Sequence, residues 1–150
     1  MHEIVIRAAV EADVPAMAEL CLASIRETNA KDYPPDVIER IATHFTAAEV
    51  LRRMAGRRVF IALDDTLLLG TISLGPDKVH SVFVRADAQR RGVGRRMMAF
   101  IEDIARTEGR RALALSSSLT AVRFYERLGY TVAGREARDG VATVLMVKLM

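Results

Sequence analysis

"VFVRADAQRRGVGRRMMAFIEDIA", residues 82–105, decides the fold. A strand-like run stops at Arg85, Gly92 and Gly94 follow at a spacing of two, and a helix then begins with Arg95 and Arg96 in its first turn. Cations are misplaced there. A helix N-terminus carries partial positive charge and unpaired N–H groups, which favour Asp, Glu or Ser. Arg90, Arg91, Arg95 and Arg96 crowd that end instead, so something anionic should offset them. A Walker loop needs four residues between its glycines and then Lys before Ser or Thr, and "GVGRRMM" has neither. A dinucleotide fingerprint needs a third glycine where this chain has Met97. What remains is a nest whose N–H groups turn inward beside a helix dipole, suited to a pyrophosphate-like anion. The plain alternative is a tight strand-to-helix turn with solvated arginines.

The flanking sequence reads as mixed α/β without repeats, linkers or low-complexity tracts. "EIVIRAAV" (3–10) predicts a strand, and "DVPAMAELCLASIRETNA" a helix capped by Asp13 with Pro15 near its start. "PPDVIERIATH" and "TAAEVLRRMAG" predict short helices, the second capped by Thr46 and ended by Gly56. "RVFIALDD", "LLLGTISLG" and "KVHSVFVR" form an antiparallel meander with turns at "DDT" and "GPD". After the glycine loop and its helix come "RRALALSSS" as a strand and "LTAVRFYERLG" as a helix. "YTVAGREAR" and "VATVLMVKL" then close the chain as a pair around Asp139 and Gly140. In the helix after the loop, Met97, Met98, Ile101 and Ile104 make the buried stripe.

Composition bounds the rest. The chain has 150 residues, 51% of them hydrophobic, enough for one domain (1–150) with a real core and short for two. Its 22 Lys and Arg against 19 Asp and Glu are too even to imply nucleic-acid binding, and 5% aromatics with no Trp leave few stacking platforms. Cys21 sits in an apolar helical pattern without a disulfide partner, which suits a reducing compartment. The chain opens without a signal-peptide pattern and holds no apolar run near the roughly 20 residues that span a bilayer, so a cytoplasmic protein with no membrane partner is expected.

The opening stretch resembles the central acyl-CoA-binding motif of the GNAT superfamily of N-acyltransferases: strand, Q/R-x-x-G-x-G/A loop, amphipathic helix. Downstream, "SSSLTAVRFYERLGYTVAG" resembles the family's second motif, and the two stand in the family's order over residues 78–134. The resemblance implies a single-domain, mostly antiparallel twisted sheet flanked by helices. Its fourth and fifth strands, here 78–85 and 110–117, run parallel and splay apart. It implies acetyl-CoA as co-substrate and no metal. Backbone groups of Val82, Phe83 and Val84 would pair with the pantetheine amides. Arg90, Arg91, Gly92, Val93, Gly94 and Arg95 would hold the pyrophosphate, and Ser118, Ala121 and Phe124 would contact the pantetheine arm. Ser118 departs from the family, which commonly has Asn there.

The chemistry requires an amine to attack a thioester and a thiolate to leave. By the resemblance, Tyr125 is the general acid; a phenol of pKa about 10 suits a thiolate of about 8.5. Packing against Phe124 is its other role, compatible with the first. Tyr130 stands where the family has Phe and reads as structural. His80 is placed by strand alternation on the face of Val82 and Val84, either as the base or as a hydrogen-bonded structural residue. Glu27 and Asp32 are candidates for binding a cationic acceptor, and His2 and His44 have no comparable context. By the resemblance, the acceptor is a small-molecule or peptide amine, and its site is shaped by residues 22–57, including "RETNAKDYPPD". Homodimers are common in the family, and the sequence leaves oligomeric state open. The rival reading is an acyl-CoA-binding sensor domain without catalysis.

Overall fold

The computed structural model describes residues 3–150, which leaves His2 outside the described residues. Seven strands, β1 (Ile4–Ala8), β2 (Arg58–Asp64), β3 (Leu67–Leu74), β4 (Val79–Val84), β5 (Ala112–Ser117), β6 (Thr131–Arg138) and β7 (Val141–Leu149), form one sheet in the order β1-β2-β3-β4-β5-β7-β6. Every neighbouring pair is antiparallel except β4 with β5. Among the described residues, five α-helices flank the sheet: α1 (Val14–Glu27), α2 (Pro35–Ala42), α3 (Ala47–Met54), α4 (Val93–Thr107) and α5 (Val122–Arg127).

Period-3.6 patterning in α4 puts Val93, Met97, Met98, Ile101 and Ala105 on one face, where all are essentially inaccessible. They pack on Leu69, Ile72, Leu74, Val79, Leu113 and Leu115 of the meander and β5. Each large apolar side chain buried there contributes roughly 1.5–3 kcal/mol. The other sheet face holds two smaller clusters. Val14, Met17 and Ala18 of α1 meet Val50, Val59 and Ile61, while Ile25, Tyr33, Val37 and Ile38 gather Ile41, Phe45, Phe83 and Val141.

Local chemistry explains the boundaries. Thr46 caps α3 through Glu49 N–H, as expected, but α3 ends at Met54 and Gly56 does not take a left-handed φ. Asp13 does not cap α1. Its carboxylate instead accepts from Val10 N–H at 2.8 Å and from Arg7 at 2.9 and 3.0 Å, closing a 3-10 turn over Glu11–Asp13. Asp139 (φ 52°) and Gly140 (φ 75°) are both left-handed, the geometry that a two-residue Asp-Gly hairpin demands. The helix expected over 119–129 is shorter. Leu119 and Thr120 turn instead, and Gly129 (φ 97°) stops α5 while Tyr130 N–H donates to the Tyr125 carbonyl.

Candidate active site

Strands β4 and β5 meet at one registered pair, Val79 with Leu115, and then diverge. Past that pair, β3 still covers one edge of β4, at Thr71 with Phe83 and Gly70 with Val84. The edge facing β5 has no ladder, so backbone N–H and C=O groups of the Val82–Val84 stretch are open inside the sheet. A cleft of about 450 Å³ occupies the gap. Val79, Val82, Val84, Leu115, Phe124 and Tyr125 line it on one side; Ser24, Thr28, Asn29, Tyr33, Phe45 and Phe83 line it on the other. Among the described residues, no Asp, Glu, His, Lys or Arg lines the cleft.

The glycine loop stands at the mouth, after the C-terminal end of β4. Gly92, with φ 78°, turns the chain into α4, whose first intrahelical bond runs from Arg96 N–H to the Gly92 carbonyl. The preceding N–H groups have no partner within the helix, which is the basis of an anion site. Gly94 lines the cleft itself: a Cβ there would lie 2.9 Å from Phe124 Cζ. The arginines divide. Arg91 turns back and pairs with Asp64 at 2.9 Å, which offsets its charge within the protein. Arg90, Arg95 and Arg96 are exposed, and no ion pair or hydrogen bond holds their side chains among the described residues.

Tyr125 lies on α5 with its ring edge-on to Phe124 (5.0 Å) and Tyr130 (5.9 Å). It is buried yet lines the cleft, and no group among the described residues takes its hydroxyl. Burial pushes the phenol up from its ordinary value, so it holds its proton across the neutral range. Tyr130 is structural, as expected: its hydroxyl donates to the buried Glu102 at 2.9 Å, which also accepts from Lys148 at 3.0 Å. Ser118 and Ala121 line the cleft.

His80 is where the sequence misleads. Pairing of Ser73 with His80 and Thr71 with Phe83 spans one more residue on β4 than on β3, and Ser81 takes φ 52°. This bulge resets the alternation. His80 therefore shares the face of Phe83, not that of Val82 and Val84, and it does not line the cleft. Its Nε2 meets Asp77 Oδ1 at 3.0 Å, while burial holds the imidazole below its usual pKa against the raising effect of that carboxylate. Glu27 faces a separate hollow beside Glu19, Arg85 and Asp87, and Asp32 does not line the cleft either. The His44 carbonyl accepts from Arg53.

Sequence reasoning missed several lining residues. Tyr33 donates to the Ala142 carbonyl at 2.6 Å and accepts from Leu119 N–H at 3.0 Å, tying the segment before α2 to both sides of the cleft. Gln89 Nε2 donates to Thr28 Oγ1 at 3.2 Å, joining the loop region to the end of α1. Thr120 Oγ1 is buried at the cleft without a partner among the described residues. The "KDYPPD" aromatic was the one legible signal, because a Tyr between turn residues needs a reason to be there.

These features define a class: an open strand edge, a glycine nest on a helix N-terminus, and a buried phenol at the fork between them. Residues 29–150 match the family described as acetyltransferase (GNAT) domain, and the chain belongs to that family. It is 26% identical to the L-methionine sulfoximine/L-methionine sulfone acetyltransferase of Salmonella typhimurium, over 91% of this chain and 85% of that protein. It is 28% identical to the L-amino acid N-acyltransferase MnaT of Escherichia coli, over 90% of this chain and 84% of that protein. A GCN5-related N-acetyltransferase structure from Rhodopseudomonas palustris superposes with a TM-score of 0.93 at 27% identity, covering 100% of this chain and 98% of that one.

Proposed function

We propose that the protein moves the acetyl group of acetyl-CoA onto the primary amine of a small acceptor by direct attack, with Tyr125 as general acid. The observation that carries the reading is the position of Tyr125: an unshared hydroxyl at the fork where β4 leaves its backbone open. The residues fit acetyl-CoA. Gly94 leaves room that a Cβ would fill, the outer arginines are free to meet phosphates, and the orphaned Thr120 hydroxyl suits an amide of the pantetheine arm in place of the missing Asn. The nitrogen attacks the thioester carbonyl, the C–N bond forms, the C–S bond breaks, the departing thiolate takes a proton from Tyr125, and the proton that the nitrogen loses restores the phenol, directly or through solvent.

The acceptor side of the cleft is neutral and partly aromatic, with Tyr33, Ile41, Phe45 and Val141. Unpaired charges are costly on such a wall, which favours an amine whose side chain is uncharged. The two curated relatives, which act on amino acids or their sulfoximine and sulfone analogues, support testing such amines first. Thiol release from acetyl-CoA, followed against panels of amino acids, sulfoximines, polyamines and N-terminal peptides, tests the proposal. Transfer to uncharged-side-chain amines is expected. Thermal stabilisation by CoA with no thiol release on any amine would instead favour the non-catalytic sensor.

A further inference from the structure

Ser116 joins three segments that are distant in the sequence. It lines the cleft from β5, its Oγ accepts from Lys78 Nζ at 2.8 Å, and the same hydroxyl donates to Glu136 Oε1 at 3.0 Å. A serine hydroxyl has one proton and two lone pairs, so one lone pair is left for a group in the cleft. Ser116 adjoins Leu115, whose pairing with Val79 closes the cleft at the end away from the glycine loop. A cofactor anchored by its pyrophosphate at the mouth would present its thioester toward that closed end. Since no ionisable acid or base other than tyrosine lines the cleft among the described residues, an ammonium entering it needs a way to lose its proton.

We propose that Ser116 and Glu136 form that way out, with Lys78 as a fixed cation that disfavours the ammonium form. The inference rests on the reading that this cleft transfers acetyl groups to amines. One ammonium proton passes to Ser116 Oγ while the Ser116 proton passes to Glu136, so ammonium and carboxylate become amine and carboxylic acid. Exposed Glu136 then returns its proton to solvent. The second proton lost by nitrogen balances the one that sulfur gains through Tyr125. Charged groups around the relay are few. Lys78 reaches Ser116, Arg135 and Arg138 flank Glu136 on β6, Arg40 of α2 donates to the Asp139 carbonyl in the hairpin turn, and His80 is turned to Asp77. Tyr33 is committed to Ala142 and Leu119.

The test is the pH dependence of acetyl transfer to an amine identified by thiol release, for the parent, Glu136→Gln and Ser116→Ala, from about pH 6 to 10. That window spans the approach to an amine pKa of about 10. Glu136 is exposed, so its variant keeps the fold. Both variants are expected to lose roughly tenfold or more in kcat/KM for the amine at neutral pH and to converge on the parent at high pH, where the amine is already neutral. KM for acetyl-CoA should not change. Superposing profiles, or an equal loss at every pH, would overturn the relay. So would a Lys78→Met variant that raises KM only for acceptors bearing a carboxylate, because the cluster would then be a carboxylate site. If the parent itself acetylates no amine, the reading of the reaction falls and this inference falls with it. An active parent with pH-indifferent variants removes this inference alone.

Discussion

Gly94 faces Phe124 so closely that a Cβ at 94 would stand 2.9 Å from Cζ and 3.3 Å from Cε1 of that ring. The contact fixes the spacing between the start of α4 and α5, and hence the width of the cleft at its mouth. Gly94→Ala should push Phe124 into the cleft. Overpacking of this kind costs about 1–3 kcal/mol, and acetyl-CoA affinity should fall roughly tenfold in calorimetric titration. Gly92→Ala is the contrast: nothing lies within 4 Å of its Cβ, so it strains only φ 78° and should lower stability by about 1–2 kcal/mol with a smaller loss of affinity. Equal affinities for parent and Gly94→Ala would show that Phe124 does not bound the cofactor path.

Tyr130 and Glu102 give a stability prediction. Tyr130→Phe leaves the buried Glu102 carboxylate with Lys148 and, at 3.6 Å, Arg106. Losing one buried hydrogen bond to a charged group costs about 1–3 kcal/mol, which for this size lowers Tm by roughly 2–12 °C in a thermal melt. Turnover per folded molecule should change less, because Tyr130 only packs beside Tyr125. An unshifted Tm would mean that Glu102 is satisfied without Tyr130.

His80 should behave as a structural residue. His80→Gln should retain turnover within about twofold at neutral pH, against the loss of roughly 10²-fold expected for removal of a base. Burial lowers its folded pKa, so the protonated form is favoured by the unfolded chain. Its contribution is therefore present above an unfolded value of about 6.5 and is lost as pH falls through the folded pKa. The Tm advantage of the parent over His80→Gln should thus shrink from pH 7.5 to pH 5. A turnover loss that high pH restores would return His80 to the chemistry.

Much of this arrangement was legible. Strand and helix order, the Asp139-Gly140 hairpin and the α4 stripe follow from local chemistry repeated along the chain, and local chemistry is what a single sequence displays. The glycine loop was legible because cations at a helix N-terminus contradict stability and so point to a ligand. The bulge at Ser81 was not, since a non-glycine residue at φ 52° leaves no mark in alternation, and that single residue moved His80 to the other face. Nor were the Ser116 and Glu102 clusters. Each is assembled from segments 20 to 46 residues apart, which only the sheet order brings together.

Tyr125→Phe tests the central claim most directly. The change keeps the ring and its contacts with Phe124 and Tyr130, and removes the one proton that the side chain offers the cleft. Acetyl-CoA affinity and Tm should stay near those of the parent. Thiol release at saturating acetyl-CoA should fall by roughly 10²-fold or more, in kcat rather than KM, because the contact strengthens as charge develops on sulfur. A Tyr125→Phe protein that turns over as fast as the parent, with chemistry rate-limiting, would contradict the account and leave protonation of the thiolate to solvent.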